Sequence, residues 1–248
     1  MPILWGEVIP IMPNTYFQFK QFKIDQGQTA MKVTTDGCIL GAWVARKSSA
    51  PKRVLDIGAG TGLLSLMMAQ EHDEALIDAV ELNESAAKQA QGNFRESPWH
   101  DRLNLIQSKV QDLPAAEGYD LLISNPPFFT ESLASPTASI NQARHDQTLS
   151  QSDLAEAIDK HMTGQGSAFV LYPPREAMAF RAEAADKGLF AHSELTVFNS
   201  PGSMPFRTIV GYGWEQVETE KSVLVIKNPS KNYTADFVEL LKGYYLHL

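Results

Sequence analysis

The sequence predicts an α/β fold, a mainly parallel sheet covered by helices on both faces. Short apolar runs rich in Val, Ile and Leu alternate with helix-like stretches. The runs are continuously apolar, as strands buried on both faces must be, and a glycine-rich turn follows directly on the first of them.

The strand-like runs are Arg53–Gly58, Ala75–Leu82, Leu103–Gln107, Tyr119–Ser124 and Ser167–Tyr172. Helix-like stretches between and after them are Leu63–Glu71, Glu84–Glu96, Leu149–His161 and Arg175–Lys187. In Leu149–His161, Ser152-Asp153 is the expected N-cap and Gly164 the expected stop. Two further strands are expected at His192–Asn199 and Thr208–Glu215, flanking the turn-rich Ser200-Pro201-Gly202-Ser203-Met204-Pro205. A last run, Ser222–Lys227, precedes a helical C-terminus, Thr234–Leu248.

The chain has 248 residues, 44% hydrophobic and 20% charged, which suits one globular domain spanning 1–248 with a substantial core. A single cysteine, Cys38, excludes an internal disulfide scaffold and a Cys-rich zinc site, and the six histidines show no metal-ligand spacing. No apolar run approaches the roughly 20 residues that span a bilayer. The N-terminal stretch lacks a basic segment and is interrupted by Pro2, Pro10 and Pro13, so no signal peptide is expected. Together these features point to a cytoplasmic protein.

The net charge is −8, unevenly spread. Residues 1–53 hold seven basic and three acidic residues, 54–220 hold ten and 24, and 221–248 hold four and two. Basic ends on an acidic body either place phosphate contacts near the chain ends or reflect chance in surface charge.

Val54-Leu55-Asp56-Ile57-Gly58-Ala59-Gly60-Thr61-Gly62 is the sharpest feature. Glycine lets a backbone bend tightly and approach a ligand closely. The dinucleotide fingerprint is G-x-G-x-x-G, but here Gly62 comes one residue early, and no basic residue lies between Gly58 and Leu66. The turn therefore suits a ligand with a nucleoside and an amino acid but no phosphate. Glu81 ends the second strand 19 residues after Gly62, where a carboxylate can accept both ribose hydroxyls. Asp56 either orders the loop or meets the ligand's ammonium group through water.

Ile123-Ser124-Asn125-Pro126-Pro127-Phe128-Phe129 follows the fourth strand. Two prolines stiffen the chain and hold the Asn125 side-chain oxygen and the Pro126 carbonyl in fixed positions. An aromatic amino group has its lone pair delocalised into the ring and is a poor nucleophile. Two acceptors gripping its hydrogens favour pyramidal nitrogen and release that lone pair. Phe128 would stack on the extruded base.

VLDIGAGTG, AVELN and SNPPF, in that order, resemble motifs I, II and IV of the class I methyltransferases. Met31-Lys32-Val33-Thr34-Thr35-Asp36-Gly37-Cys38-Ile39-Leu40-Gly41-Ala42-Trp43 and Phe19-Lys20-Gln21-Phe22 are more specific. With Gln142-Ala143-Arg144, Asn232-Tyr233 and Tyr244-Tyr245-Leu246, they resemble the bacterial tRNA (adenine-N6)-methyltransferases acting on adenine 37 of valine tRNA. The likeness runs over almost the full length. It implies a Rossmann-like, doubly wound, seven-stranded sheet, S-adenosyl-L-methionine as cofactor, and a folded tRNA as substrate. Segment 14–50 would contribute to cofactor and substrate binding, with Lys32 and Thr35 in the cofactor pocket beside Asp56, Gly58, Gly60, Gly62, Glu81, Leu82 and Asn125. Asn125, Pro126, Pro127 and Phe128 would carry the chemistry.

Two departures stand out. Many relatives place an aspartate after the third strand, where Ser108-Lys109-Val110 stands here, so either Asp112 substitutes or backbone and packing hold the adenine. Phe128 replaces a common tyrosine, keeping the stacking and losing a hydroxyl. Phe129, Arg144, Lys20 and Lys23 are candidate substrate contacts, although Phe17, Phe19 and Phe22 beside those lysines also read as a packed hairpin. Trp43 and Trp99 read as packing.

Other acceptors use the same chemistry: protein glutamine amides, guanine N2 of ribosomal RNA and DNA adenine. The N-terminal block favours tRNA. Intact Asn125, Glu81 and glycines argue against a non-enzymatic RNA-binding protein that kept the fold. No obligate protein partner is implied.

Overall fold

The computed structural model describes residues 14–29, 31–114, 118–127 and 149–248. A short antiparallel hairpin, β1 (Tyr16–Gln18) and β2 (Lys23–Asp25), precedes helix α1 (Thr35–Lys47). The central units follow: β3 (Arg53–Ile57), α2 (Leu63–Glu71), β4 (Leu76–Glu81), α3 (Glu84–Arg95), β5 (Leu103–Gln107) and β6 (Tyr119–Ser124). The chain continues through α4 (Gln151–His161), β7 (Met162–Tyr172), α5 (Pro174–Asp186), β8 (Phe190–Phe198), β9 (Pro205–Gly213), β10 (Glu220–Val225) and α6 (Ala235–Leu241).

One sheet has the order β10-β8-β9-β7-β6-β3-β4-β5, parallel throughout except for β9, which runs antiparallel to β7 and β8. The sheet has eight strands rather than the seven implied by the resemblance. The eighth is β10, whose residues Glu220 to Val225 pair in parallel with Ser193 to Phe198 and cover the open side of β8. All parallel strands end at one edge, and the reversed β9 begins there.

The strands alternate between two cores. Val54, Leu121, Ile123 and Ile209 face α1, α2 and α6, whereas Leu55, Leu122, Val170 and Val210 face α4 and α5. Leu121, Leu122 and Ile123 are each 1% exposed, so β6 has no solvated face and its apolar run is unbroken. Burying each such side chain stabilises by about 1.5–3 kcal/mol.

Helix α1 was not expected. Residues Asp36 to Ala45 are all buried, so no polar face marks the helical period. Gly41 permits its close packing on α2: a Cβ there would stand 2.5 Å from the Met67 sulfur. Two expectations about α4 are also corrected. Its N-cap is Ser150, which closes a capping box with Asp153, and its stop is Met162 rather than Gly164. Met162 pairs with Tyr119 in the sheet, and that pairing ends the helix before the glycine. The C-terminal helix is shorter than expected, opening after its N-cap Thr234 and ending at Leu241.

Candidate functional site

A cleft of about 820 Å³ opens at the carboxyl edge, over β3, β4, β5 and β6. Its wall includes Gly58 and Gly60 after β3, Glu81 to Asn83 at β4, Ser108 to Gln111 after β5, and Asn125 to Pro127 after β6. Gly27 to Thr29 and Met31 close it from the segment behind the hairpin, and Leu149 and Asp153 from the start of α4.

The glycine turn is held from several sides. Gly58 and Ala59 donate backbone N–H groups to the Val80 carbonyl at 2.9 and 3.0 Å, locking the turn to β4. Gly58 and Gly60 have φ of 75° and 56°, in the region glycine favours, and the space where a Cβ would stand is open at both. That leaves a side-chain-free wall for a ligand. Gly62 has a different task. It caps α2 at φ 80°, and a Cβ there would lie 2.4 Å from the Phe94 ring, so this glycine serves packing and does not line the cleft.

Glu81 binds the Gly60 N–H through Oε2 at 2.9 Å and the Asn83 N–H through Oε1 at 2.8 Å. A carboxylate offers about four acceptor positions, so about two remain for a ligand at this wall residue. Asn83 in turn caps α3 by accepting from the Ala86 N–H. Leu82 lies beside it on the wall, 43% exposed.

Asp56 lies beneath the turn, fully buried and off the cleft wall. Its Oδ2 accepts from the Ser65 N–H at 3.0 Å and the Ser65 hydroxyl at 2.7 Å, tying β3 to the first turn of α2. Burial pushes its carboxyl up to about 6, against the pull of the Ser65 hydrogen bonds. Oδ1 has no partner.

Asn125 stands directly after β6, half-buried on the cleft wall, and its Oδ1 is buried with no hydrogen bond. The first turn of α1 backs it. A Cβ at Gly37 would stand in ordinary contact with Asn125 Nδ2 at 3.7 Å and crowd Leu63 Cδ2 at 3.2 Å, so this turn packs directly beside the amide. That turn is clamped in place. Thr34 caps it through the Gly37 N–H, and Asp36 forms a partly buried ion pair with Arg207 at the start of β9, Nε to Oδ2 2.6 Å.

The other expected site residues are placed elsewhere. Lys32 is exposed, with Nζ 3.5 Å from the Asn14 carbonyl, and Thr35 opens α1; neither lines the cleft. Asp112 ends the short 3-10 turn Val110–Asp112, exposed and off the wall, while Ser108 to Gln111 line it. Lys23 is held between Asp25 at 3.1 Å and Glu96 at 3.3 Å, beyond the C-terminal end of α3. Lys20 donates to the Lys242 carbonyl at 2.6 Å. Phe19 and Phe22 are buried and stacked, with Trp99 against Phe22, so the aromatic-basic segment is a packed hairpin. Phe128, Phe129 and Arg144 lie outside the described residues.

Gly27 to Thr29 and Met31 fall in the segment 14–50 expected at the pocket but were not singled out within it, and Leu149 and Asp153 were missed, because nothing in their spacing marks them as ligand contacts. The run Ser108-Lys109-Val110 was recognised only as a missing aspartate.

Among the described residues no helix is long and apolar enough to cross a membrane. The profile of the methyltransferase small domain matches residues 39–159. A tRNA1(Val) (adenine(37)-N6)-methyltransferase from Dyadobacter fermentans is 40% identical over 237 residues, covering 94% of this chain and 98% of that protein. One of the same name from Cytophaga hutchinsonii is 39% identical over 96% of this chain and 100% of its own length. Among solved structures, a predicted O-methyltransferase from Agrobacterium tumefaciens superposes with a TM-score of 0.62 at 17% identity, over 83% of this chain and 95% of that one. Pyrococcus horikoshii TYW2 in complex with MeSAdo superposes with a TM-score of 0.59 at 14% identity, over 81% of this chain and 71% of that one. These two likenesses concern the fold.

Proposed function

The chain belongs to the bacterial tRNA1(Val) (adenine(37)-N6)-methyltransferase family, and from that premise we propose that it methylates N6 of adenine 37 in valine tRNA, using S-adenosyl-L-methionine. The observation that carries the reading is the Asn125 Oδ1, a buried acceptor with no donor of its own on the wall of the cleft. A buried acceptor left unpaired costs free energy, and the arriving amino group relieves it.

The residues present suit the methyl donor. The side-chain-free wall at Gly58 and Gly60 and the two spare acceptor positions of Glu81 fit a nucleoside with ribose hydroxyls. Leu82 and Ser108 to Gln111 supply the rest of that wall. When bound, the donor supplies an electrophilic methyl group on sulfur. Asn125 Oδ1 and the Pro126 carbonyl accept the two hydrogens of the adenine amino group, holding its nitrogen pyramidal with the lone pair available. The nitrogen lone pair would take the methyl group as its bond to sulfur breaks, the electron pair staying on sulfur, and the nitrogen gives up one proton, which leaves to water. Pro127 stiffens this arrangement, and Phe128 stacks on the extruded base. A protein acting on tRNA in this way works in the cytoplasm as a single domain.

The test is incubation with total bacterial tRNA and S-adenosyl-L-methionine, followed by nucleoside mass spectrometry and site mapping. N6-methyladenosine at position 37 of valine tRNA is expected. Labelled glutamine in protein, or N2-methylguanosine in ribosomal RNA, with no adenine product would overturn the reading.

A further inference from the structure

The sheet's carboxyl edge continues past Asn125, across β7, β9 and β8, to the end of β10. Four strand spacings of about 4.8 Å put that end roughly 19 Å from β6, within the width of one nucleic-acid arm. The acidic body is interrupted here. No Asp or Glu occurs between Glu194 and Glu215, or between Glu220 and Asp236, while Lys227 and Lys231 follow the end of β10.

The turn after β10 is built, not loose. The Lys227 N–H donates to the Asn199 carbonyl at 3.0 Å, the Asn228 N–H to Asn232 at 2.8 Å, and the Thr234 N–H to Ile226 at 3.0 Å. Lys231 sits at φ 66°, a conformation that favours glycine, yet it carries a long cationic side chain. Tyr233 is 41% exposed and its ring is stacked on Phe237, centroids 4.6 Å apart, so it presents a fixed aromatic face. Lys227 Nζ stands 5.8 Å from that ring. Among the described residues, neither Lys227 nor Lys231 forms an ion pair with a carboxylate.

The hairpin lysines stand in contrast. Lys23 is already neutralised by Asp25 and Glu96, at the end of α3 away from the cleft. Lys20 is bound to the Lys242 carbonyl, at the end of α6 away from this turn.

Resting on the reading that the substrate is a tRNA, we propose that the turn after β10 docks it: Lys227 and Lys231 hold backbone phosphates of the anticodon arm, and Tyr233 stacks on an unpaired base. Two exposed cations around a rigid aromatic face match a chain of phosphates with bases between them. The hairpin lysines take no part.

The experiment measures binding of valine tRNA by fluorescence anisotropy across a salt series, and methylation kinetics on the same tRNA. Lys227→Ala with Lys231→Gly should weaken binding and raise the KM for tRNA about tenfold, with kcat and cofactor affinity within about twofold of the parent. The log–log salt slope should become shallower by about 1.5, for two phosphates lost. Lys227→Arg with Lys231→Arg should restore binding, which an effect on folding would not allow. Tyr233→Ala should weaken binding with the salt slope unchanged. Lys20→Ala with Lys23→Ala should bind as the parent does. Parental affinity and slope in the Lys227/Lys231 double variant, or an equal loss in the hairpin variant, overturns the docking surface. If the parent binds tRNA through these residues yet makes no N6-methyladenosine, the docking surface stands and the proposed reaction falls.

Discussion

The cleft half of the molecule, β3 to β6, and the flank half, the hairpin with α1 and β7 to β10, are held together in opposite ways. In the cleft half the deciding contacts join residues close in sequence: Asp56 to Ser65, Gly60 to Glu81, Glu81 to Asn83. In the flank half they join residues far apart: Asp36 to Arg207, Lys20 to Lys242, Phe19 to Tyr245. Yet Asn125 needs both. Its strand belongs to the cleft half, and the turn that backs it at Gly37 is clamped by the flank half. Cofactor binding should therefore survive loss of the Asp36–Arg207 clamp, whereas placement of the catalytic amide should not.

The sharpest way to break this comparison is Asp36→Ala. It removes the carboxylate of the partly buried ion pair with Arg207 and should cost about 1.5–3 kcal/mol of stability, the worth of a hydrogen bond between charged groups, read by urea unfolding. A loss under 1 kcal/mol would mean that the distant clamp is not what holds α1.

Asn125→Ala should cut turnover at least about a hundredfold, on the scale of removing one preorganised polar group from an active site. Cofactor affinity, measured by calorimetry, should barely change. Near-normal turnover at saturating tRNA would make Asn125 a structural residue.

Asp56 offers a test within the cleft half that depends on pH. Burial raises its carboxyl from 3.8 to about 6 in the folded chain. The cost of ionising it is thus absent below about pH 4 and complete above about pH 6, so rising pH removes stability through that window, by about 3 kcal/mol. Asp56→Asn keeps an acceptor for Ser65 and does not titrate. Its stability relative to the parent should rise by that amount between pH 4 and pH 7. A constant difference across the range would show that the buried carboxyl is not raised.

Glu81→Ala should weaken S-adenosyl-L-methionine binding by about 1–3 kcal/mol, the worth of hydrogen bonds to a charged acceptor. Asp36→Ala, where folded, should leave that affinity alone. If it also weakened the cofactor, the two halves would not be separable.

The sequence by itself determined the strand–turn–helix unit at residues 53–71, the acid closing β4, and Asn125-Pro126-Pro127 after an apolar strand. Each is a local matter of glycine dihedrals, proline stiffness and unbroken apolar runs, so neighbouring residues suffice to read it. Tertiary structure alone decided the rest. It buried α1 on every side and so hid its period, added β10 to the sheet by pairing with β8, and ended α4 at Met162 through a partner in β6. It also sorted the lysines. Lys20 and Lys23 looked free beside their aromatics, but a carbonyl 222 residues away and the carboxylate of Glu96 engage them. Lys227 and Lys231 carried no such signal, and the fold set them on the edge that holds Asn125. Contacts between residues far apart in the chain exist only once the sheet has closed over both cores, and no local pattern encodes them.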